Sequence, residues 1–148
     1  MLLSGINHVA TLTSDTDRLH AFYREVFDAV VVIDDRAPAE GEGFRMSIVD
    51  IGDGTMLNVF DIRGNTEAAR QVPMFGRGRI DHLALQASSR ESFDRIRQRL
   101  MAAGATDGFV TDFGEAYSVF FRDPDGLDNP DSTPGTHNPP GTRAARFT

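Results

Sequence analysis

The sequence repeats itself, and the repeat limits the folds open to it more than any other feature. Sliding the 148-residue chain against itself by 74 positions lays INHVA, residues 6–10, over IDHLA, residues 80–84, so that His8 meets His82 and Ala10 meets Ala84. A polar break follows each segment, SDTD in the first copy and SSRE in the second. An amphipathic helix comes next, with apolar residues at i, i+3 and i+7: Leu19, Phe22 and Val26, then Phe93, Ile96 and Leu100. Ser14 and Ser89 are the expected N-caps, and Gly104 the expected stop of the second helix.

Both halves then become strand-like. The first reads FRMSIVDIGDGTMLNVFDI, with Asp53-Gly54 as a hairpin turn, and the second AYSVFFRDPDGLDNP, with Asp125-Gly126 in the same part. Superimposing the two turns sets Met56 against Asp128 and Asn58 against Pro130. A strand, a helix and further strands, given twice, predict an α+β fold of two similar modules. The expected boundaries are module one at about 5–61, a connector at 62–79, module two at about 80–130 and a Pro/Gly-rich tail at 131–148. A connector of that length permits module exchange between two chains.

Composition removes several kinds of chemistry. The chain has no cysteine, which excludes disulfides, thiolate metal sites and thiol nucleophiles. All 15 basic residues are arginine, which excludes Schiff-base lysines and the phosphate-loop lysine. The net charge is −7 and the arginines are scattered among acids, so nucleic acid is not an expected partner. The glycine pairs at 41/43, 52/54 and 76/78 lack a third glycine at dinucleotide spacing, and no nucleotide cofactor is expected. No apolar run approaches the roughly 18 residues of a membrane span, and the N-terminus lacks signal-peptide character. The expectation is a cytoplasmic protein with no membrane partner.

The motifs NHVA, RLHAFYREVF, DHLAL, LMAAGA and VFFRDPDG, spread over about residues 6–127, resemble the vicinal oxygen chelate superfamily of glyoxalases, extradiol dioxygenases and bleomycin-resistance proteins. The resemblance implies paired βαβββ modules forming a curled mixed sheet around a cleft, with the helices outside. Together with the long connector, the pairing of modules that the resemblance implies makes a homodimer the expected assembly. It also implies a divalent metal held by a histidine on the first strand of each module and a Glu, Gln or His on the last. The first-strand positions are His8 and His82; the last-strand positions are Asn58 and Pro130, neither of them a carboxylate. Asp128, two residues before Pro130, lies roughly 7 Å along an ideal strand and would need a bulge or break to serve, whereas a metal ligand must come within about 2.2 Å.

Strand alternation puts His8, Ala10 and Leu12 on one face, and His82, Ala84 and Gln86 on the other copy's equivalent face. The candidate metal ligands are His8 and His82, with Asn58 and Asp128 as additional ligand or cleft residues. The candidate substrate cleft comprises Ala10, Met56, Phe60, Ala84 and Gln86. Two readings follow. One is a glyoxalase- or dioxygenase-like metal-dependent enzyme with a degenerate site that holds one Fe, Zn, Ni, Mn or Co ion weakly. The other is a metal-free small-molecule binding or sequestering protein of the bleomycin-resistance type. His20 is expected on the surface of the first helix, His137 in the tail, and the aromatic group Phe109, Phe113, Tyr117, Phe120 and Phe121 in the core.

Overall fold

The computed structural model describes residues 2–36, 43–70, 82–114 and 116–125, and the backbone of 143–147. The chain divides into two compact units, Met1–Ala69 and Arg70–Thr148. Unit one runs β1 (His8–Leu12), α1 (Thr16–Phe27), β2 (Val30–Arg36), β3 (Phe44–Asp50) and β4 (Met56–Ile62). Unit two runs β5 (Ala84–Gln86), α2 (Arg90–Ala102), β6 (Val110–Asp112), β7 (Tyr117–Phe121) and β8 (Arg143–Phe147). Each is therefore βαβββ, as the repeat predicts. The strand orders correspond as well: β1-β4-β3-β2 in one sheet and β5-β8-β7-β6 in the other. In both, the first strand lies parallel to the last, and the remaining pairs are antiparallel.

The local chemistry explains the element ends. Asp15, at φ −155°, caps α1 by accepting a hydrogen bond from the Arg18 backbone N–H at 3.0 Å. The cap is one residue later than expected, because Ser14 Oγ instead accepts from Arg18 Nη2 at 3.3 Å. Ser89 caps α2 as predicted, accepting from the Ser92 N–H at 3.1 Å. Both helices end at a residue of positive φ, with backward bonds of different span. In α2, Gly104 at φ 66° donates to Met101 O while Ala105 donates to Leu100 O. In α1, Asp28 takes the left-handed conformation at φ 56°, and Ala29 N–H reaches Tyr23 O at 3.2 Å. The β3–β4 turn has positive φ at both Asp53 (52°) and Gly54 (73°) and closes with Thr55 N–H on Gly52 O. Positive φ at both central residues is the pattern of the tight hairpin turn that Asp-Gly favours.

Helix α1 covers one face of the first sheet. Leu19, Tyr23 and Val26 are buried there with Val49, Leu57 and Val59. Burying each such side chain is worth about 1.5–3 kcal/mol. The helical stripe passes through Tyr23 rather than Phe22, which is only half-buried. In unit two, Phe93 and Leu100 of α2 are buried, as are Val119 and Phe121 of β7.

The structure differs from the sequence reading at three further places. Residues 143–147, assigned from sequence to the tail, form β8, the strand between β5 and β7. Of the aromatic group, Phe121 is core, but Phe109, Phe113 and Tyr117 are exposed and Phe120 is half-buried. His20 is buried rather than on the surface. Asp128, Pro130 and His137, like the Gly126 of the second turn, lie outside the described residues. No helix among the described residues is long and apolar enough to cross a membrane.

Candidate functional site

The two faces of the first sheet are chemically opposite. Side chains that engage α1 sit at one parity of the strands: Ser47 Oγ lies 2.8 Å from His20 Nε2, Asp61 Oδ2 accepts from Thr16 Oγ1 at 3.1 Å, and Arg45 donates to Asp17 Oδ1 at 2.8 Å. Residues of the other parity therefore form an open face. Its strand registers give rows across β2, β3, β4 and β1. The first row is Val30, Asp50, Met56 and His8; the second is Ile33, Ile48, Asn58 and Ala10; the third is Asp35, Met46, Phe60 and Leu12. Phe44 and Ile62 add a fourth.

This open face is mostly apolar. Met46, Ile48, Met56 and Phe60 are half-buried, while Ile33, Phe44 and Ile62 stay 41%, 46% and 39% exposed. Met56 and Phe60, expected in a ligand cleft, both belong to it, as does the exposed Ala10. Asn58 stands at its centre, in register with Ala10 on one side and Ile48 on the other. Asp35 and Asp50, which sequence reasoning missed, place two carboxylates on the same face; strand parity alone would have found them once β2 and β3 were aligned.

His8 opens β1 and is exposed. Its Nδ1 is 2.8 Å from Asn7 Oδ1. With the amide oxygen toward the ring, Nδ1 carries the proton and donates it, which leaves the Nε2 lone pair available. Asn7 is a third residue that the sequence reading passed over, although its place next to His8 is a usable signal.

The equivalent face of the second sheet is defined by register. Ala84 aligns with Ala144, and Gln86 with Arg146; Phe120 and Ser118 continue those rows on β7. Ala84 and Gln86 are exposed, and His82 is exposed two residues before β5 begins. His82 thus lies ahead of the strand rather than on it, because β8 begins at Arg143 and its ladder to β5 starts with Ala144 opposite Ala84.

The register also supplies a test of the metal site that the resemblance implies. The residue paired with Ala10 on the last strand of unit one is Asn58, and the residue paired with Ala84 on the last strand of unit two is Ala144. One is a neutral amide and the other a methyl group. Among the described residues no group of three or more His, Asp or Glu side chains could hold a metal ion. A divalent ion with two neutral imidazoles and no carboxylate keeps its full charge uncompensated, so this donor set does not fit a tightly held metal. His8 and His82 belong to different units.

The strongest electrostatics of unit one lie on the covered face. Arg45 Nε and Nη2 grip both oxygens of Asp34 at 2.7 and 2.6 Å, while Nη2 also reaches Asp17. These bonds hold the Asp34 and Asp17 carboxyls below the usual carboxylate range and push the guanidinium up. Beside them, burial pushes the His20 imidazole below its ordinary 6.5, a trend that Asp34 opposes and Arg45 reinforces. His20 is an interface residue of the fold.

A family model described as Glyoxalase/Bleomycin resistance protein/Dioxygenase superfamily matches residues 5–129. No curated protein matches the chain. Among solved structures, the chain is similar to a glyoxylase/bleomycin resistance protein/dioxygenase domain from Frankia sp. EAN1pec, with 23% identity, 98% of each chain covered and a TM-score of 0.64. It is also similar to the genomically encoded fosfomycin resistance protein FosX from Listeria monocytogenes, complexed with Mn(II) and sulfate ion. There the identity is 16%, with 99% of this chain and 92% of that one covered and a TM-score of 0.58. A third is TnmS3, an antibiotic binding protein from Streptomyces sp. CB03234, at 19% identity, 99% and 98% coverage and a TM-score of 0.59.

Proposed function

The chain belongs to the glyoxalase/bleomycin resistance protein/dioxygenase superfamily, and from that premise we propose that it is a small-molecule binding or sequestering protein of the bleomycin-resistance type, whose ligand lies on the open sheet faces. The observation that carries this reading is the pairing of Ala10 with Asn58 and of Ala84 with Ala144. Where the resemblance implies a Glu, Gln or His on each last strand, this chain has the shorter amide of Asn58 and the methyl of Ala144, and neither is a carboxylate or an imidazole. The apolar open face of unit one, with Met46, Ile48, Met56 and Phe60, supports burial of an apolar ligand body at about 25 cal/mol per Å². The proposed contacts are Ala10, Met56 and Phe60 on the face of unit one and, on the face of unit two, Ala84 and Gln86. The likeness to an antibiotic binding protein agrees with this role.

The second reading is a metal-dependent lyase, isomerase or dioxygenase. It keeps His8 and His82 as ligands of a weakly held Fe, Zn, Ni, Mn or Co ion, with Asn58, Asp128 or water beside them. The exposed His8 ring, with Nδ1 2.8 Å from Asn7 Oδ1, favours it. Titration with 1-anilinonaphthalene-8-sulfonate, followed by fluorescence, separates the two. The binding reading expects saturable binding that EDTA leaves unchanged and that Met56→Asp weakens. Binding that appears only with added Mn(II) contradicts it. The protein is proposed to act as a cytoplasmic homodimer, and sedimentation at micromolar concentration showing only monomer removes that part.

A further inference from the structure

Asn58 is the one polar residue in the second row of the open face, between Ile48 and Ala10, with Met56 and Phe60 on either side of it along β4. Its carboxamide makes no hydrogen bond among the described residues. A half-buried amide in an apolar patch loses water when anything covers it, and covering it without a partner is unfavourable. The covering molecule must therefore supply what the amide lacks. A carboxamide presents one acceptor and one donor side by side, so its best complement is an edge with an adjacent donor and acceptor. Ala10, next to it on β1, carries no side chain beyond a methyl group, which leaves room for such an edge one strand spacing away, about 4.8 Å. Met46 and Met56 flank the position with flexible, polarizable thioethers suited to a flat ring system.

We propose that Asn58 is a specificity residue which reads the carboxamide, lactam or imide edge of a neutral, planar, largely apolar ligand. The assignment rests on the binding role proposed above and names the ligand class for the same face. At a position where the resemblance implies a metal donor, the amide recognises organic functionality instead. A site that forms a pair of hydrogen bonds rejects an analogue lacking the donor, because its own polar group is then left unpaired.

The test uses three probes followed by fluorescence or calorimetry: 1-naphthamide, N,N-dimethyl-1-naphthamide and 1-methylnaphthalene. The wild-type protein should bind 1-naphthamide about tenfold more tightly than the dimethyl amide, the ratio expected for roughly 1.4 kcal/mol. Asn58→Leu should abolish that preference while still binding 1-methylnaphthalene. Asn58→Gln, which keeps the amide, should retain part of the preference and guards against a folding defect in the leucine variant. Equal binding of the two amides by the wild type, or a preference that survives in Asn58→Leu, overturns the assignment and leaves the apolar binding face standing. Failure of all three probes to bind the wild type removes the binding face, and the Asn58 assignment with it.

Discussion

The two units share one plan and differ in how each completes its sheet. In unit one the last strand follows immediately on a tight turn, with Gly52 O and Thr55 N–H closing it at 3.0 Å. In unit two the last strand is β8, and residues 122–142 separate it from β7. Register still aligns the two: Leu57 beside Val9 in one, Ala145 beside Leu85 in the other. The helix contacts differ as well. In unit one a buried His20 meets Ser47, whereas the residue 74 positions on, Asp94, is half-buried and pairs with Arg90 at 3.1 Å. The comparison teaches that the topology is held by strand order and apolar faces. Connection length and interior polar groups can vary around it.

The largest effect should come from breaking the strand that the two units build differently. Ala145 pairs with both Leu85 and Val119, so its backbone lies inside the ladder. Ala145→Pro removes a donor there and should cost more than about 3 kcal/mol. Amide exchange should show Leu85 and Val119 losing protection. Unchanged exchange at both residues would mean that β8 is not the counterpart of β4.

A smaller effect sharpens the contrast between the helix contacts. The folded-state pKa of His20 lies below its ordinary value, so the imidazole is held neutral by burial. Below about pH 6.5 the unfolded chain takes up the proton first. Its contribution is therefore complete above the ordinary histidine pKa and is lost as pH falls through it. The wild-type melting temperature should drop between about pH 7.5 and pH 5.5 by more than that of His20→Gln, which cannot titrate. Asp17 and Asp34 lose their Arg45-stabilised contributions only at lower pH, below the ordinary carboxylate range, so they do not confuse this window. Parallel pH profiles for wild type and variant would place the imidazole in solvent.

The smallest effect compares the helix ends. Gly104 meets the left-handed conformation without cost, whereas Asp28 adopts it with a Cβ. Asp28→Gly should raise stability by about 0.5 kcal/mol, read by urea unfolding, while Gly104→Ala should lower it by a similar or larger amount.

Much of this was legible in the sequence because the signals were local. The Asp53-Gly54 turn, the Ser89 cap and the Gly104 stop each depend on a few adjacent residues and formed where expected, as did β1 within INHVA, whereas β5 begins two residues after the His82 of IDHLA. What escaped notice depended on distant partners. RAARF has no periodic signature of its own and becomes β8 only through pairing with β5 and β7. His20 looked polar in a polar neighbourhood, yet Thr16, Leu19, His20, Tyr23 and Val26 together form the buried stripe. Choosing Phe22 instead of Tyr23 rotated that stripe and left His20 outside it. On the candidate site, alternation grouped His8, Ala10 and Leu12, and the register adds Met56, Asn58 and Phe60 to their face. Counting from the Asp125-Gly126 turn could not anticipate that register would set Ala144 beside Ala84.

That pair of registers makes metal content the decisive quantity. The wild-type protein should be loaded with a mixture of divalent ions, dialysed and analysed for metal, with Asn58→Glu treated in parallel. Asn58 and Ala144 leave the ion's charge uncompensated, so the wild type should retain well below one ion per chain. Asn58→Glu should retain appreciably more, since a carboxylate at about 4 Å is worth on the order of 4 kcal/mol at an effective dielectric of 20. One tightly held ion per wild-type chain would contradict the account.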